Sequence, residues 1–185
     1  PKIFWHSTKA SLAILNKEPH VVRDNYHAIV EIWESPANKH LKSAYLTSFI
    51  IFLGNYLAYC ISTGDYKSFN KYIQILEAVK PKHIDEKAEY HQTLNYVKHL
   101  FFLNSGQLKA AYQMVPDIKQ VLTQYAHKIS QARKRTFRYN MMLVSFGLLK
   151  YEDALDHSRH LYPKSPHRED LAIVAKLFEL IIQYK

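Results

Sequence analysis

The chain has 185 residues, of which 48% are apolar and only four are glycine, so it can bury a core, is too apolar to remain disordered, and has too few turn residues for a sandwich or barrel. Its formal charge of +9 favours acidic partners, nucleic acid or a membrane surface without choosing among them. The single cysteine, Cys60, excludes an intrachain disulfide and a Cys-based structural zinc site, and fits a reducing compartment.

The opening "PKIFWHSTKASLAIL" has an early Lys but neither the apolar run nor the cleavage site of a secretory signal, which leaves a cytoplasmic expectation. Helical periodicity follows almost throughout, and the first break is "ESPANK". Residues 44–63, "AYLTSFIIFLGNYLAYCIST", carry no charge and are long enough to span a bilayer. Thr47, Ser48, Asn55, Ser62 and Thr63 dilute the stretch, and it has no counterpart elsewhere, so it reads as the buried helix of a soluble protein with no membrane partner. At "TGDY", Gly64 ends that helix at positive φ, and Tyr66 and Phe69 open the next and pack back across the turn. "SFNKYIQILEAV" lines up Phe69, Tyr72, Ile73, Leu76 and Val79, and Pro81 in "KPKH" stops it.

The next helix runs to "NSGQ", where Gly106 and Leu108 repeat the pattern. Pro116 falls inside the helix after it and should kink or restart it. A long helix then reaches "GLLKY", where Leu149 stands in the turn, and "ALDHSRHLY" carries a stripe of Ala154, Leu155, Ser158, Leu161 and Tyr162. "YPKSPH" supplies another break, with Ser165 as N-cap before Pro166. The final "LAIVAKLFELIIQYK" stops inside an apolar helical pattern, as a chain cut from a longer one would. About nine helices result.

Gly64 and Gly106 are 42 residues apart, each followed two residues later by Tyr66 or Leu108, and Tyr151 lies 43 beyond Leu108. A fixed period of this length marks stacked helical pairs. The predicted fold is therefore all-α, a superhelix of antiparallel helical hairpins with a period of about 42. Repeats are expected at residues 1–36, 37–81, 82–128 and 129–166, with the first helix of another at 167–185. The turn, the aromatic after it and the Pro fifteen residues further on (Tyr66 to Pro81, Tyr151 to Pro166) resemble a tetratricopeptide repeat. "RYNMMLVSFGLLKYEDALDHSRHLY" and "HREDLAIVAKLFELIIQYK" resemble a segment of long tetratricopeptide-like proteins of Bacteroidetes. That resemblance implies further repeats beyond Lys185 and a groove lined by the first helix of each pair. Eleven residues before Tyr66 and Tyr151 lie Asn55 and Asn140, the position at which peptide-binding members of the family hold a ligand backbone. In the third repeat the matching residue is Val97, so the register fails there. Tyr96 and Tyr139 are expected in the same groove.

Catalytic signatures are absent: there is no Gly-x-Ser-x-Gly, phosphate loop or dinucleotide fingerprint. His157 and His160 share a helix face but read as solvated, and His91 and His99 as surface or groove residues. The carboxylate pairs Asp85/Glu86, Glu152/Asp153 and Glu169/Asp170 fall at helix starts, where they complement the dipole. No catalytic residue, metal or cofactor is expected. From Ile118 to Lys150 there is no acid, and Arg133, Arg135 and Arg138 cluster near a helix start as a candidate anion site. The sequence thus predicts a non-catalytic scaffold holding a protein or peptide partner in a groove with Asn55, Tyr96, Tyr139 and Asn140, the positive charge favouring an acidic one. The alternative is a nucleic-acid binder using residues 118–150.

Overall fold

The computed structural model describes residues 2–161 and 169–184; Tyr162, Ser165 and Pro166 lie outside the described residues. It is all-helical there, in eleven α-helices: α1 (Lys2–Leu15), α2 (Pro19–Glu34), α3 (Lys39–Ala44), α4 (Leu46–Ser62), α5 (Tyr66–Glu77), α6 (Ile84–Asn104), α7 (Leu108–Gln113), α8 (Val115–Gln124), α9 (Gln131–Gly147), α10 (Tyr151–Arg159) and α11 (Glu169–Gln183). The chain forms two compact units, residues 1–93 and 94–185, divided within α6.

In residues 1–93, α1 packs on α2, α2 on α4, and α4 on α5. α5 shows how sequence becomes structure here. The Asp65 carboxylate accepts from the Ser68 backbone N–H at 3.1 Å and satisfies one of the first-turn donors. Phe69, Tyr72, Ile73 and Leu76 recur at helical spacing and are all buried, each contributing roughly 2 kcal/mol by leaving water. α3 and α4 are bent by 105° relative to each other, with Tyr45 between them and no Pro or Gly at the break. No described helix is long and apolar enough to cross a membrane by itself. α4 buries Phe49, Ile50, Leu53, Gly54, Tyr56, Leu57, Cys60 and Ile61, which accounts for its lack of charge. It approaches α6 closely, for a Cβ on Gly54 would collide with Thr93 Cγ2.

In residues 94–185, α9 packs against α7, α8, α10 and α11. Pro116 acts as anticipated: α7 ends at Gln113 and α8 restarts at Val115, because a Pro inside one continuous helix would leave a carbonyl unbonded. Met142, Ala154, Leu161 and Ala175 form the core beneath α9, α10 and α11. Phe146 and Phe178 meet edge to face there, with ring centroids 4.4 Å apart.

One turn occurs four times. Lys17, Gly64, Gly106 and Leu149 all have φ between 58° and 73°. The residue after each donates to a carbonyl five residues back (Glu18 to Ala13, Asp65 to Cys60, Gln107 to Phe102, Lys150 to Ser145) at 2.8–2.9 Å. Each left-handed residue also donates to a carbonyl three residues back. This is the Schellman arrangement, which satisfies the last carbonyls of a helix. Two residues after each, Pro19, Tyr66, Leu108 or Tyr151 begins the following helix. Gly meets the positive φ without strain, whereas Lys17 and Leu149 adopt it against the clash of Cβ with the backbone.

Candidate functional site

In residues 1–93 a cleft of about 580 Å³ opens beside α1, α2 and α4, with Ile14, Val22, Tyr26, Asn55, Ala58 and Tyr59 on its walls. The Tyr59 hydroxyl donates to the Pro19 carbonyl at 2.6 Å and ties α4 to the start of α2. Tyr26 stacks on Tyr56 with centroids 5.7 Å apart. Burial raises the phenols of Tyr26, Tyr56 and Tyr59 above their usual range, so all three are neutral hydrogen-bond donors at neutral pH. Among the described residues, Lys17 and Glu18 are the only charged ones on the walls. Asn55 is exposed, and its amide has no hydrogen-bond partner among the described residues.

Asn140 has a different environment. It is buried in α9, and its Nδ2 has no partner among the described residues. Counting back from the turn therefore pairs an exposed Asn with a buried one. Tyr96 and Tyr139 also separate. Tyr96 lies under the Arg133 guanidinium, 4.2 Å from ring centroid to Cζ, and against the edge of Phe137. Tyr139 packs on the core around Met142 and Ala175.

The three arginines separate as well. Arg133 is held over Tyr96, a cation–π contact that immobilises it. Arg135 is half-buried and engaged. Only Arg138 enters a second cleft, of about 400 Å³, where Lys119 and Leu122 of α8, Lys134 of α9, Asp156 of α10 and His160 just after it join it. Residues four apart on a helix share a face and residues five apart do not. Lys134 and Arg138 therefore converge while Arg133 and Arg138 diverge. Ser130 caps this helix by accepting from the Arg133 N–H at 3.2 Å, which offsets part of the conflict between its cations and the dipole.

The histidine expectations need correction. His157 is not solvated but 1% exposed, with Nδ1 3.4 Å from Arg138 Nη1. Burial, then the charges of Lys119 and Arg138, push it down to about 4. His160 is exposed and donates from Nδ1 to the Asp156 carbonyl at 2.8 Å, so the two histidines do not share an environment. His99 is not at the surface but completely buried, and neither ring nitrogen has a partner among the described residues. Burial, then repulsion from His157, pushes it down to about 4. Among the described residues no three His, Cys, Asp or Glu side chains are grouped to hold a metal ion. Asp85 and Glu86 occupy the first turn of α6, and Glu152 and Asp153 that of α10. Glu86 accepts from the N–H groups of Lys82 and His83, which holds its carboxyl below the usual range. The side chains of Glu169 and Asp170 lie outside the described residues. Cys60 is buried, and its thiol is pushed up to about 12 by burial and then by the Asp65 charge. It carries essentially no thiolate at neutral pH.

These features define an all-α protein of packed helices, with an apolar cleft in residues 1–93 and a cationic one in residues 94–185. No protein-family model, curated protein or solved structure matches the chain.

Proposed function

We propose that this protein is a non-catalytic scaffold that seats an extended, uncharged apolar segment of a protein partner in the cleft beside α1, α2 and α4. The supporting observation is the cleft itself: apolar walls of Ile14, Val22 and Ala58 with the free Asn55 amide at the edge, able both to donate to and accept from a peptide backbone. A segment anchored by one large apolar side chain fits walls whose two charges are of opposite sign. The recurrence of one turn at Lys17, Gly64, Gly106 and Leu149 supports a tetratricopeptide-like array, and the free Cys60 thiol supports a reducing, cytoplasmic setting.

A displayed peptide library panned against the full chain tests the proposal. Enriched peptides should share an apolar anchor. Their affinity should fall at least about tenfold with Ala58→Trp, which fills the cleft, and several-fold with Asn55→Ala, the loss of one or two hydrogen bonds. Failure of any sequence to enrich, or binding that ignores both substitutions, would refute it.

A further inference from the structure

The cleft formed by α8, α9 and α10 is distinct in chemistry from the apolar one. Lys119, Lys134 and Arg138 contribute three positive charges to it, and Asp156 a single negative one. Its walls come from three separate helices, so its shape is fixed by packing and does not depend on one flexible loop. Behind Arg138 is His157, a nearly fully buried ring. Its Nδ1 is 3.4 Å from Arg138 Nη1 and 3.9 Å from an Asp156 carboxylate oxygen. Burial keeps this ring neutral, and the nearby charges of Lys119 and Arg138 further oppose its protonation. Arg138 is therefore backed by a neutral group that steadies it without cancelling its charge. Lys134 is steadied similarly, with Nζ donating to the Ala126 carbonyl at 2.7 Å. Among the described residues lining the cleft Asp156 alone is acidic, which leaves a net charge of about +2 on its walls; the Asp153 carboxylate, which also acts on His157, accepts a hydrogen bond from the Tyr112 hydroxyl.

We infer that this cleft binds a single phosphate group, either as the free ion or as a phosphorylated side chain of a partner. A compact dianion matches the uncompensated charge. The guanidinium presents planar paired donors, and Lys119 and Lys134 add two ammonium groups to the same cleft. A nucleic-acid backbone needs a line of cations to follow successive phosphates. Here the cations share one cleft, and Arg133, the next one along α9, is turned away onto Tyr96.

The test is titration of the full chain with inorganic phosphate, a phosphoserine peptide, its unphosphorylated form, and a single-stranded oligonucleotide, followed by calorimetry and by amide chemical shifts. Saturable binding of phosphate or of the phosphopeptide is expected, with the unphosphorylated peptide at least tenfold weaker. The two phosphate arms show whether the source is the free ion or a modified side chain. Arg138→Gln should weaken binding at least tenfold. Lys119→Gln, at an exposed position that leaves the core alone, should weaken it several-fold, and Lys109→Gln on α7 should not change it. Asp156→Asn should tighten binding several-fold by removing the carboxylate on the cleft walls. The inference fails if phosphate does not saturate, if Lys119→Gln and Lys109→Gln behave alike, if Asp156→Asn weakens binding, or if the oligonucleotide binds far more tightly than either phosphate ligand.

Discussion

Leu149 should be the position at which exchanging a large residue for glycine stabilises the protein. It is 66% exposed and has φ of 60°. For a residue with a Cβ, that conformation costs about 1–2 kcal/mol. Glycine removes the cost but adds about 0.5–1 kcal/mol of chain entropy to the unfolded state. The difference is about 1 kcal/mol in favour of glycine. Leu149→Ala isolates this backbone effect, since it removes the partly covered side chain and keeps the strain. Leu149→Gly should therefore be more stable than Leu149→Ala by about 1 kcal/mol, or roughly 2–4 °C in melting temperature for a chain of this size. The opposite change should be seen at Gly64 and Gly106. Nothing lies within 4 Å of a Cβ built at either, so Gly64→Ala and Gly106→Ala should each lose about 1 kcal/mol through φ alone. Urea unfolding followed by circular dichroism measures all four. Equal stability of the two Leu149 variants, together with unchanged stability on Gly106→Ala, would refute the strain assigned to this turn.

Stability should fall with acid between about pH 6.5 and pH 4 as two buried histidines titrate, and fall further below as the Asp65 and Glu86 carboxylates, held below their usual range, take up protons. His99 and His157 titrate near 4 in the folded chain but near 6.5 when unfolded, so the unfolded state binds the extra protons in that window and gains on the order of 3 kcal/mol for each ring. His99→Leu should flatten the profile, and a wild-type urea midpoint that is constant from pH 7 to pH 4.5 would contradict the burial argument. Gly54→Ala should destabilise by about 1–3 kcal/mol despite the better helix propensity of Ala, because Thr93 Cγ2 occupies the space and the Thr93 hydroxyl, donating to Glu89 at 2.8 Å, fixes its rotamer. Adding Thr93→Ser should recover most of the loss, and an additive double mutant would show that the two sites do not touch. Asp65→Ala should lose about 1 kcal/mol with the cap of α5, as read by the same unfolding curves.

Where the chain carries strong local signals, the fold could be read from its residues. The apolar stripe of α5, the positive φ at Gly64 and Gly106, and the restart at Pro116 each follow from one residue type having few alternatives. The turn at Lys17 was hidden because lysine has no preference for the left-handed region. The bend at Tyr45 is hidden because no Pro or Gly marks the break. α6 buries Gln92, Thr93, Val97 and His99. This mixture of polar and apolar residues shows no stripe, so His99 looked like a surface residue. At the candidate sites, residue type was legible and direction was not. A count of eleven from the turn reaches Asn55 and Asn140 alike, yet neighbouring elements leave one in a cleft and cover the other. The four-residue spacing of Lys134 and Arg138 was the overlooked signal that two cations share a face.

Cys60 has a practical consequence. The chain has one thiol, and it is buried in α4, inside the unit of residues 1–93. While that unit stays closed, an alkylating reagent meets neither an accessible sulfur nor a thiolate. The labelling rate at Cys60 is then a clock for the opening of residues 1–93 alone, blind to events confined to residues 94–185. One native residue, with no added probe, thus reports the opening of residues 1–93 by itself.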